Sequence, residues 1–172
     1  FQAVARSVNL PIILYNVPGR TGCDLLNDTV VKLSQIDNIV AIKDATGDVA
    51  RVAALIEAVP DGFAVFSGDD ATALQLMRRG GQGNVSVTAN IAARDMAAVC
   101  NLALTGQWEA AAEIDARLSE LNDLLFIEAN PIPVKWAMAQ RGMIEDGIRL
   151  PLTPLSEPCR GDLERALETY FA

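Results

Sequence analysis

The sequence predicts an α/β fold in which a parallel β-sheet is covered by helices. Short, uninterrupted apolar runs alternate four times with segments of helical periodicity over residues 1–105, and short loops join them. Apolar runs without polar alternation are typical of strands buried on both faces, as in parallel sheets. After residue 105 the strand pattern stops and helical periodicity continues. We therefore expect two domains, residues 1–105 and residues 106–172.

The first predicted domain begins with what reads as the end of a helix, in residues 1–8. Each strand that follows is a short apolar run that ends at turn residues, and each helix after it carries apolar residues at helical spacing. Asp48 is well placed to cap the second of these helices. The predicted strands are residues 11–16, 39–43, 63–67 and 84–87, and the predicted helices are residues 25–36, 49–59, 68–79 and 92–104.

The second predicted domain is entirely helical. Its first helix, residues 107–128, has Trp108, Ile114, Leu118, Leu121 and Leu125 on one apolar stripe. Such a stripe is typical of a helix that packs one face on a core. Two shorter helices are predicted at residues 133–141 and 160–171, separated by a proline-rich segment.

Four consecutive β/α units make half of a (β/α)8 barrel, and a doubly wound sheet is the structural alternative. The chain begins with Phe1 and the end of a helix. We therefore expect a fragment, or a chain whose first part is missing.

Composition and charge exclude several classes of function. The chain is 51% apolar and 21% charged, with a net charge of −8, which argues against binding to nucleic acid. No apolar run approaches the roughly 20 residues that cross a bilayer. Histidine is absent, so a Ser-His-Asp triad, a Cys-His dyad and an HExxH zinc site cannot be built from these residues. The three widely spaced cysteines favour reduced thiols and a cytoplasmic protein.

Lys43 is the strongest candidate for a catalytic residue. It ends the run IVAIK, at the carboxyl end of a predicted strand, where α/β barrels place catalytic groups. An amine among apolar neighbours loses its proton more readily, and a free amine is what attack on a carbonyl requires. On position alone, a lysine that merely reaches solvent at a strand end is the commoner case.

Tyr15 and Arg20 follow the first predicted strand, and Gly68 follows the third. A tyrosine at a strand end can relay protons, and an arginine in the next loop can bind a carboxylate with two hydrogen bonds. Taken alone, a tyrosine such as Tyr15 is more often a packing aromatic, and an arginine such as Arg20 is more often a surface cation. Their convergence with Lys43 at one end of neighbouring strands favours a functional site.

Five motifs in this order and spacing resemble the dihydrodipicolinate synthase family, and the resemblance is collinear over essentially all 172 residues. The motifs are YNVPGRTG (residues 15–22), AIKDATGD (41–48), SGDDATAL (67–74), NVSVTAN (84–90) and NPIPVKWA (130–137). The resemblance implies strands five to eight of a (β/α)8 barrel for residues 1–105, followed by a C-terminal helical domain.

The resemblance implies a role for each candidate. Lys43 matches the lysine that forms an imine with pyruvate, and Tyr15 matches one tyrosine of a proton relay made of two tyrosines and a threonine. Arg20 matches the arginine that binds the carboxylate of L-aspartate-4-semialdehyde. Gly68 and Val85 fall where the family lines the site with backbone. No metal and no organic cofactor is implied, because the substrate binds covalently to the lysine.

The resemblance also implies a homo-oligomer, either a dimer or a dimer of dimers, in lysine biosynthesis through diaminopimelate. The pyruvate loop, the relay threonine and the second tyrosine belong to barrel units that precede those in this sequence. Two alternatives stay open. One is a sister aldolase that acts on N-acetylneuraminate or a keto-deoxy sugar acid, and the other is an inactive half-barrel.

Overall fold

A computed structural model describes all residues, 1–172, and divides them into two compact units. The first comprises Phe1–Val85 with Ala103–Thr105, and the second comprises Ser86–Leu102 with Gly106–Ala172. The predicted domain boundary between residues 105 and 106 thus falls close to one junction of these units, while residues 86–102 belong to the second unit. The division into domains at residues 105 and 106 stays a prediction.

The first unit contains a parallel sheet in the order β1-β2-β3. The register pairs Tyr15 with Lys43, Asn16 with Asp44, and Lys43 with Phe66. The strands are β1 (Ile12–Asn16), β2 (Ile39–Asp44) and β3 (Ala64–Ser67), and the helices are α1 (Gln2–Ser7), α2 (Pro18–Thr21), α3 (Asn27–Leu33), α4 (Val49–Ala58) and α5 (Ala73–Met77). The predicted alternation of strand and helix is confirmed through β3, and residues 18–21, expected as loop, form the short helix α2.

The fourth predicted strand, residues 84–87, is wrong. Only Asn84 pairs with β3, through a single parallel bridge to Ser67. The side chain of Gln82 accepts the backbone N–H of Val65 at 2.6 Å, and Gly83 has a φ of 151°. The Gln82 side chain therefore accepts a hydrogen bond from β3 that a backbone oxygen of the fourth strand would otherwise accept. The extended segment after it is too short to form a strand. The chain turns into a 3-10 helix at Thr88–Asn90.

The core of the first unit lies on one face of the sheet, against the helices. Leu14, Ile42 and Val65 are register partners on this face and pack on apolar residues of α3, α4 and α5. A register shift between Ile12 and Ile13 allows Ile39 to join the same core. The buried residues are Leu14, Ile39, Ile42 and Val65 from the strands and Val30, Leu33, Val52, Leu55 and Leu76 from the helices. Residues in alternation with these strand positions, including Tyr15 and Lys43, therefore point to the opposite face.

The second unit is helical, as the sequence predicts for residues 106–172. Its core joins residues from several helices, among them Leu121, Leu125, Val134, Leu163 and Leu167. The helices are α6 (Ala93–Leu104), of which residues up to Leu102 belong to this unit, α7 (Trp108–Leu124), α8 (Ile132–Gln140) and α9 (Glu157–Phe171). Helix α9 begins three residues before the predicted start because Pro158 is well tolerated in a first turn. No helix of the chain is both long enough and apolar enough to cross a membrane.

Helix α4 begins as the sequence predicts, with Asp48 as its cap. The Asp48 carboxylate accepts the backbone N–H of Arg51 at 3.0 Å. We expect Asp48→Ala to lower the free energy of unfolding by about 1 kcal/mol, because this N–H loses its partner. Chemical denaturation of the two proteins measures the difference. Asp48→Asn should retain most of the stability, and equal stability of Asp48→Ala and the unaltered protein would contradict the assigned cap.

Candidate functional site

Lys43 and Tyr15 lie side by side at the carboxyl ends of β2 and β1. They are register partners in the parallel ladder, and the Lys43 Nζ lies 4.3 Å from the centroid of the Tyr15 ring. The Tyr15 residue is 50% exposed and Lys43 is partly buried. The amine faces the ring rather than the hydroxyl, which is a cation–π arrangement. The structure therefore brings together the two residues that the sequence singled out first.

Gly68, directly after β3, leaves the space that the Lys43 side chain occupies. A Cβ at position 68 would lie 2.6 Å from the Lys43 Cε, 2.9 Å from the Ala45 Cβ and 3.0 Å from the Lys43 Cγ. Real side chains essentially never come this close to a Cβ. The Gly68 N–H also donates to the backbone oxygen of Asp44 at 2.7 Å. Glycine at this position therefore permits the observed path of the lysine between two strand ends.

Val85 lies beside the end of β3, and Arg20 lies on the turn that follows β1. The Val85 N–H donates to the Ser67 oxygen at 2.8 Å, which sets Val85 beside the residue that precedes Gly68. Its side chain is exposed. Arg20 is exposed on α2, the helical turn that follows β1 and ends at Gly22 with a φ of 63°. Tyr15, Lys43 and Gly68 thus lie at the carboxyl ends of β1, β2 and β3, and Val85 lies beside Ser67 at the end of β3.

On the opposite face of the sheet from this site lies a polar network that the sequence patterns did not predict. Asn16 is buried, and its amide nitrogen donates to Asp24 at 3.0 Å and to Asp44 at 3.1 Å. The second Asp44 oxygen accepts the Thr46 N–H at 2.9 Å and the Thr46 hydroxyl at 2.5 Å. A signal was present: Asn16 and Asp44 are polar residues on the same strand face as the apolar Leu14 and Ile42.

Arg51 closes the network from α4. Its guanidinium donates to both Asp24 oxygens, at 2.8 Å and 2.9 Å, and to the backbone oxygen of Leu25 at 2.9 Å. The hydrogen bond from Arg51, reinforced by that from Asn16, holds the pKa of the Asp24 carboxyl below its usual value. The same pair raises the pKa of Arg51. Asp24 is therefore a fixed anion behind the strand ends.

The second unit contains a separate polar cavity of about 410 Å³. The Tyr170 hydroxyl donates to Asp95 at 3.1 Å, and Arg117 lies 3.6 Å from the same carboxylate. Burial, followed by the nearby Asp95 charge, raises the pKa of Tyr170. These groups pair with one another and contain none of the predicted site residues. No group of three or more cysteines or carboxylates in the structure is arranged to hold a metal ion.

The fold and the site define a β/α-barrel protein, with its candidate residues at the carboxyl ends of parallel strands. The chain belongs to the dihydrodipicolinate synthetase family, whose model matches residues 1–170. Among similar proteins is the 4-hydroxy-tetrahydrodipicolinate synthase of Marinobacter nauticus, 57% identical over 169 residues, which cover 98% of this chain and 58% of that protein. The synthase of Pseudomonas aeruginosa is 54% identical over 167 residues, 97% of this chain and 57% of that protein.

Solved structures show the same similarity. A dihydrodipicolinate synthase from Acinetobacter baumannii, complexed with pyruvate, matches with a TM-score of 0.96 at 54% identity, over 99% of this chain and 58% of that one. The enzyme of Methylacidiphilum fumariolicum matches with a TM-score of 0.97 at 42% identity, over 99% and 57%. The chain thus spans somewhat over half the length of these relatives. Its fold is the C-terminal half of a (β/α)8 barrel followed by a helical domain.

Proposed function

We propose that Lys43 forms an imine with pyruvate, and that the full-length protein condenses this imine with L-aspartate-4-semialdehyde to give 4-hydroxy-tetrahydrodipicolinate. The position of the Lys43 amine carries the proposal: it lies 4.3 Å from the Tyr15 ring centre, at the carboxyl ends of adjacent parallel strands. Family membership supports the same reaction, as does the pyruvate bound to the similar synthase of Acinetobacter baumannii.

The proposed reaction splits one difficult condensation into easier steps. The free amine of Lys43 attacks the keto carbon of pyruvate, a C–N bond forms, and the carbonyl oxygen leaves as water. Loss of a methyl proton gives an enamine, whose carbon attacks the aldehyde of the second substrate. The amino group of that substrate then attacks the imine carbon, closes the ring and releases Lys43 as the free amine. The overall reaction involves no oxidation or reduction.

The neighbours of Lys43 suggest how this chain assists. Tyr15 is proposed to relay protons during imine formation and ring closure, because its side chain lies next to the amine. Gly68 lacks a Cβ and so leaves space for the Lys43 side chain, and Val85 lines the site beside the strand ends. Arg20 is proposed to bind the carboxylate of the semialdehyde, because a guanidinium suits a carboxylate in charge and geometry.

Trapping with borohydride tests the proposal directly. The full-length protein is incubated with pyruvate, reduced, digested and analysed by mass spectrometry. Within this chain only Lys32, Lys43 and Lys135 can carry the adduct, and the peptide masses distinguish them. We expect one reduced pyruvyl group on Lys43. A folded protein, shown by its circular dichroism, that carries no adduct on Lys43 would overturn the proposal.

A change at Arg20 should separate the two substrates. We expect Arg20→Ala to raise the KM for L-aspartate-4-semialdehyde at least about tenfold, because a charge-assisted pair to the carboxylate is worth roughly 1.5–3 kcal/mol. Pyruvate trapping on Lys43 should be unchanged. Steady-state kinetics with each substrate varied in turn measures the effect, and Arg6→Ala, an exposed cation on α1, is the control. A normal KM for the semialdehyde in Arg20→Ala would refute the assigned role.

We further propose that the protein acts in the cytoplasm as a homo-oligomer, a dimer or a dimer of dimers. The proposal rests on family membership and on the reduced thiols that the cysteine spacing favours. One similar solved structure is described as a monomeric variant, so assembly varies among the relatives. Mass photometry of the full-length protein measures the assembly, and a single monomer peak at working concentrations would contradict the proposed oligomer.

A further inference from the structure

Asn16 is the centre of the network behind the candidate site. The residue is only 2% exposed. Its amide nitrogen donates one hydrogen bond to Asp24 and one to Asp44, while its amide oxygen accepts the Leu25 N–H at 3.0 Å. Both N–H groups and the oxygen of the amide are therefore used. An amide has the two donors and one acceptor that this position requires.

The register places this network directly behind the reacting groups. Tyr15 pairs with Lys43, and the next residues along the same two strands, Asn16 and Asp44, pair with each other. Successive strand residues point to opposite faces of a sheet. The hydrogen bond between Asn16 and Asp44 thus links β1 to β2 one residue beyond the contact between the Tyr15 ring and the Lys43 amine.

The backbone joins this link to the third strand. The backbone oxygen of Asn16 accepts the Ala45 N–H at 2.9 Å, and the backbone oxygen of Asp44 accepts the Gly68 N–H at 2.7 Å. The Asp44 side chain holds the start of the following loop through Thr46. A shift of Asn16 relative to Asp44 would therefore alter the relative positions of three strand ends.

We propose that Asn16 is a positioning residue for imine formation, which sets the separation of Lys43 and Tyr15 from the opposite face of the sheet. The inference rests on the proposed function of Lys43. Asn16 itself touches no reacting atom, because its side chain points away from the site. Leucine here would remove the donor to the buried Asp44 carboxylate, and aspartate would bring three carboxylates together.

The test replaces Asn16 by aspartate in the full-length protein and follows pyruvate trapping on Lys43 over time, at saturating pyruvate. We expect imine formation to slow at least about tenfold per folded molecule, because small displacements of reacting groups have large kinetic effects. Position 16 faces the charged groups Asp24 and Asp44; Arg51 is bound to Asp24, and Asp48 lies near Arg51 as the cap at the start of α4. The new carboxyl donates only when protonated, so the pH–rate profile should shift toward acid.

Asn38 supplies a matched control at the opposite end of the sheet. Its amide nitrogen donates to the backbone oxygens of Ala5, Val8 and Leu10, so it too anchors the chain through hydrogen bonds. Asn38→Asp should lower the melting temperature and leave both the trapping rate per folded molecule and its pH profile unchanged. The comparison separates loss of stability from loss of positioning.

An exchange of the two side chains tests the link itself. In the double variant Asn16→Asp with Asp44→Asn, one amide and one carboxylate again face each other across the strands. We expect the trapping rate to recover in part relative to Asn16→Asp, as coupled neighbours do in a double-mutant cycle, because the carboxylate at position 16 still lies beside Asp24. Failure of the folded double variant to recover any rate would count against the proposed link.

The outcomes distinguish this inference from the proposed function. If the unaltered protein carries no adduct on Lys43, the proposed function fails and the positioning role fails with it. If the unaltered protein is trapped and folded Asn16→Asp reacts at the same rate with the same pH profile, only the positioning role is overturned. If Asn16→Asp does not fold, Asp24→Asn at the more exposed end of the network replaces it. A trapping rate lowered about threefold supports the role, and an unchanged rate overturns it.

Discussion

Replacing Lys43 by alanine in the full-length protein is expected to abolish the trapped pyruvate adduct and the condensation that follows it. The reaction needs a nucleophilic amine at the carboxyl ends of the strands, and β2 supplies that amine through Lys43 alone. The fold should survive, because Lys43 points away from the core that α3, α4 and α5 form with the sheet. Mass spectrometry after borohydride reduction measures the adduct, and circular dichroism confirms the fold.

Two further changes make the Lys43 result specific. Lys43→Arg keeps a positive charge over the Tyr15 ring but presents a guanidinium, which does not form the imine. It should therefore be as inactive as Lys43→Ala. Lys32→Ala and Lys135→Ala remove the other two lysines of the chain and should leave the adduct intact. An adduct that persists in Lys43→Ala, or that moves to another lysine at the same rate, would exclude Lys43 as the nucleophile.

The sequence predicts the placement of Lys43 and Tyr15 well because both residues end apolar runs. Parallel strands in one sheet have their carboxyl ends at the same edge, so two strand-end residues from consecutive β/α units must lie near each other. The register that pairs Tyr15 with Lys43 agrees with this expectation. Arg20 is harder to predict, since its position depends on the turn α2 and Gly22, which the apolar pattern does not describe.

The fourth strand and the buried network show where sequence patterns are insufficient. The run NVSV has the composition of a strand, but pairing also depends on Gln82 and Gly83, which alter the ladder just before it. The network depends on contacts between residues 8 to 28 positions apart in sequence, as in the bonds from Asn16 to Asp24 and Asp44. Periodicity reports which face a residue occupies and does not report its hydrogen-bond partners.

Gly68→Ala is expected to slow imine formation at least about a hundredfold while most of the fold survives. The added Cβ would lie 2.6 Å from the Lys43 Cε, whereas ordinary carbon contacts are about 3.5–4.0 Å, so the lysine side chain has to move by roughly 1 Å. Gly68 does not have a left-handed φ, so backbone strain does not explain the effect. Timed pyruvate trapping on Lys43 measures the rate, and denaturation measures stability, with a loss of about 1–3 kcal/mol expected from overpacking.

Two controls separate crowding of the lysine from crowding of the fold. Ala45→Gly added to Gly68→Ala removes the second close contact, 2.9 Å between the new Cβ and the Ala45 Cβ. Part of the lost stability should return, but the slow imine formation should remain, because the Lys43 atoms are still displaced. Gly161→Ala, within helix α9, meets no atom within 4 Å and should leave the trapping rate unchanged, with a gain of about 0.5–1 kcal/mol in stability. Recovery of the full rate in the Ala45→Gly double variant would mean that Gly68 acts through the backbone rather than through the room it leaves for Lys43.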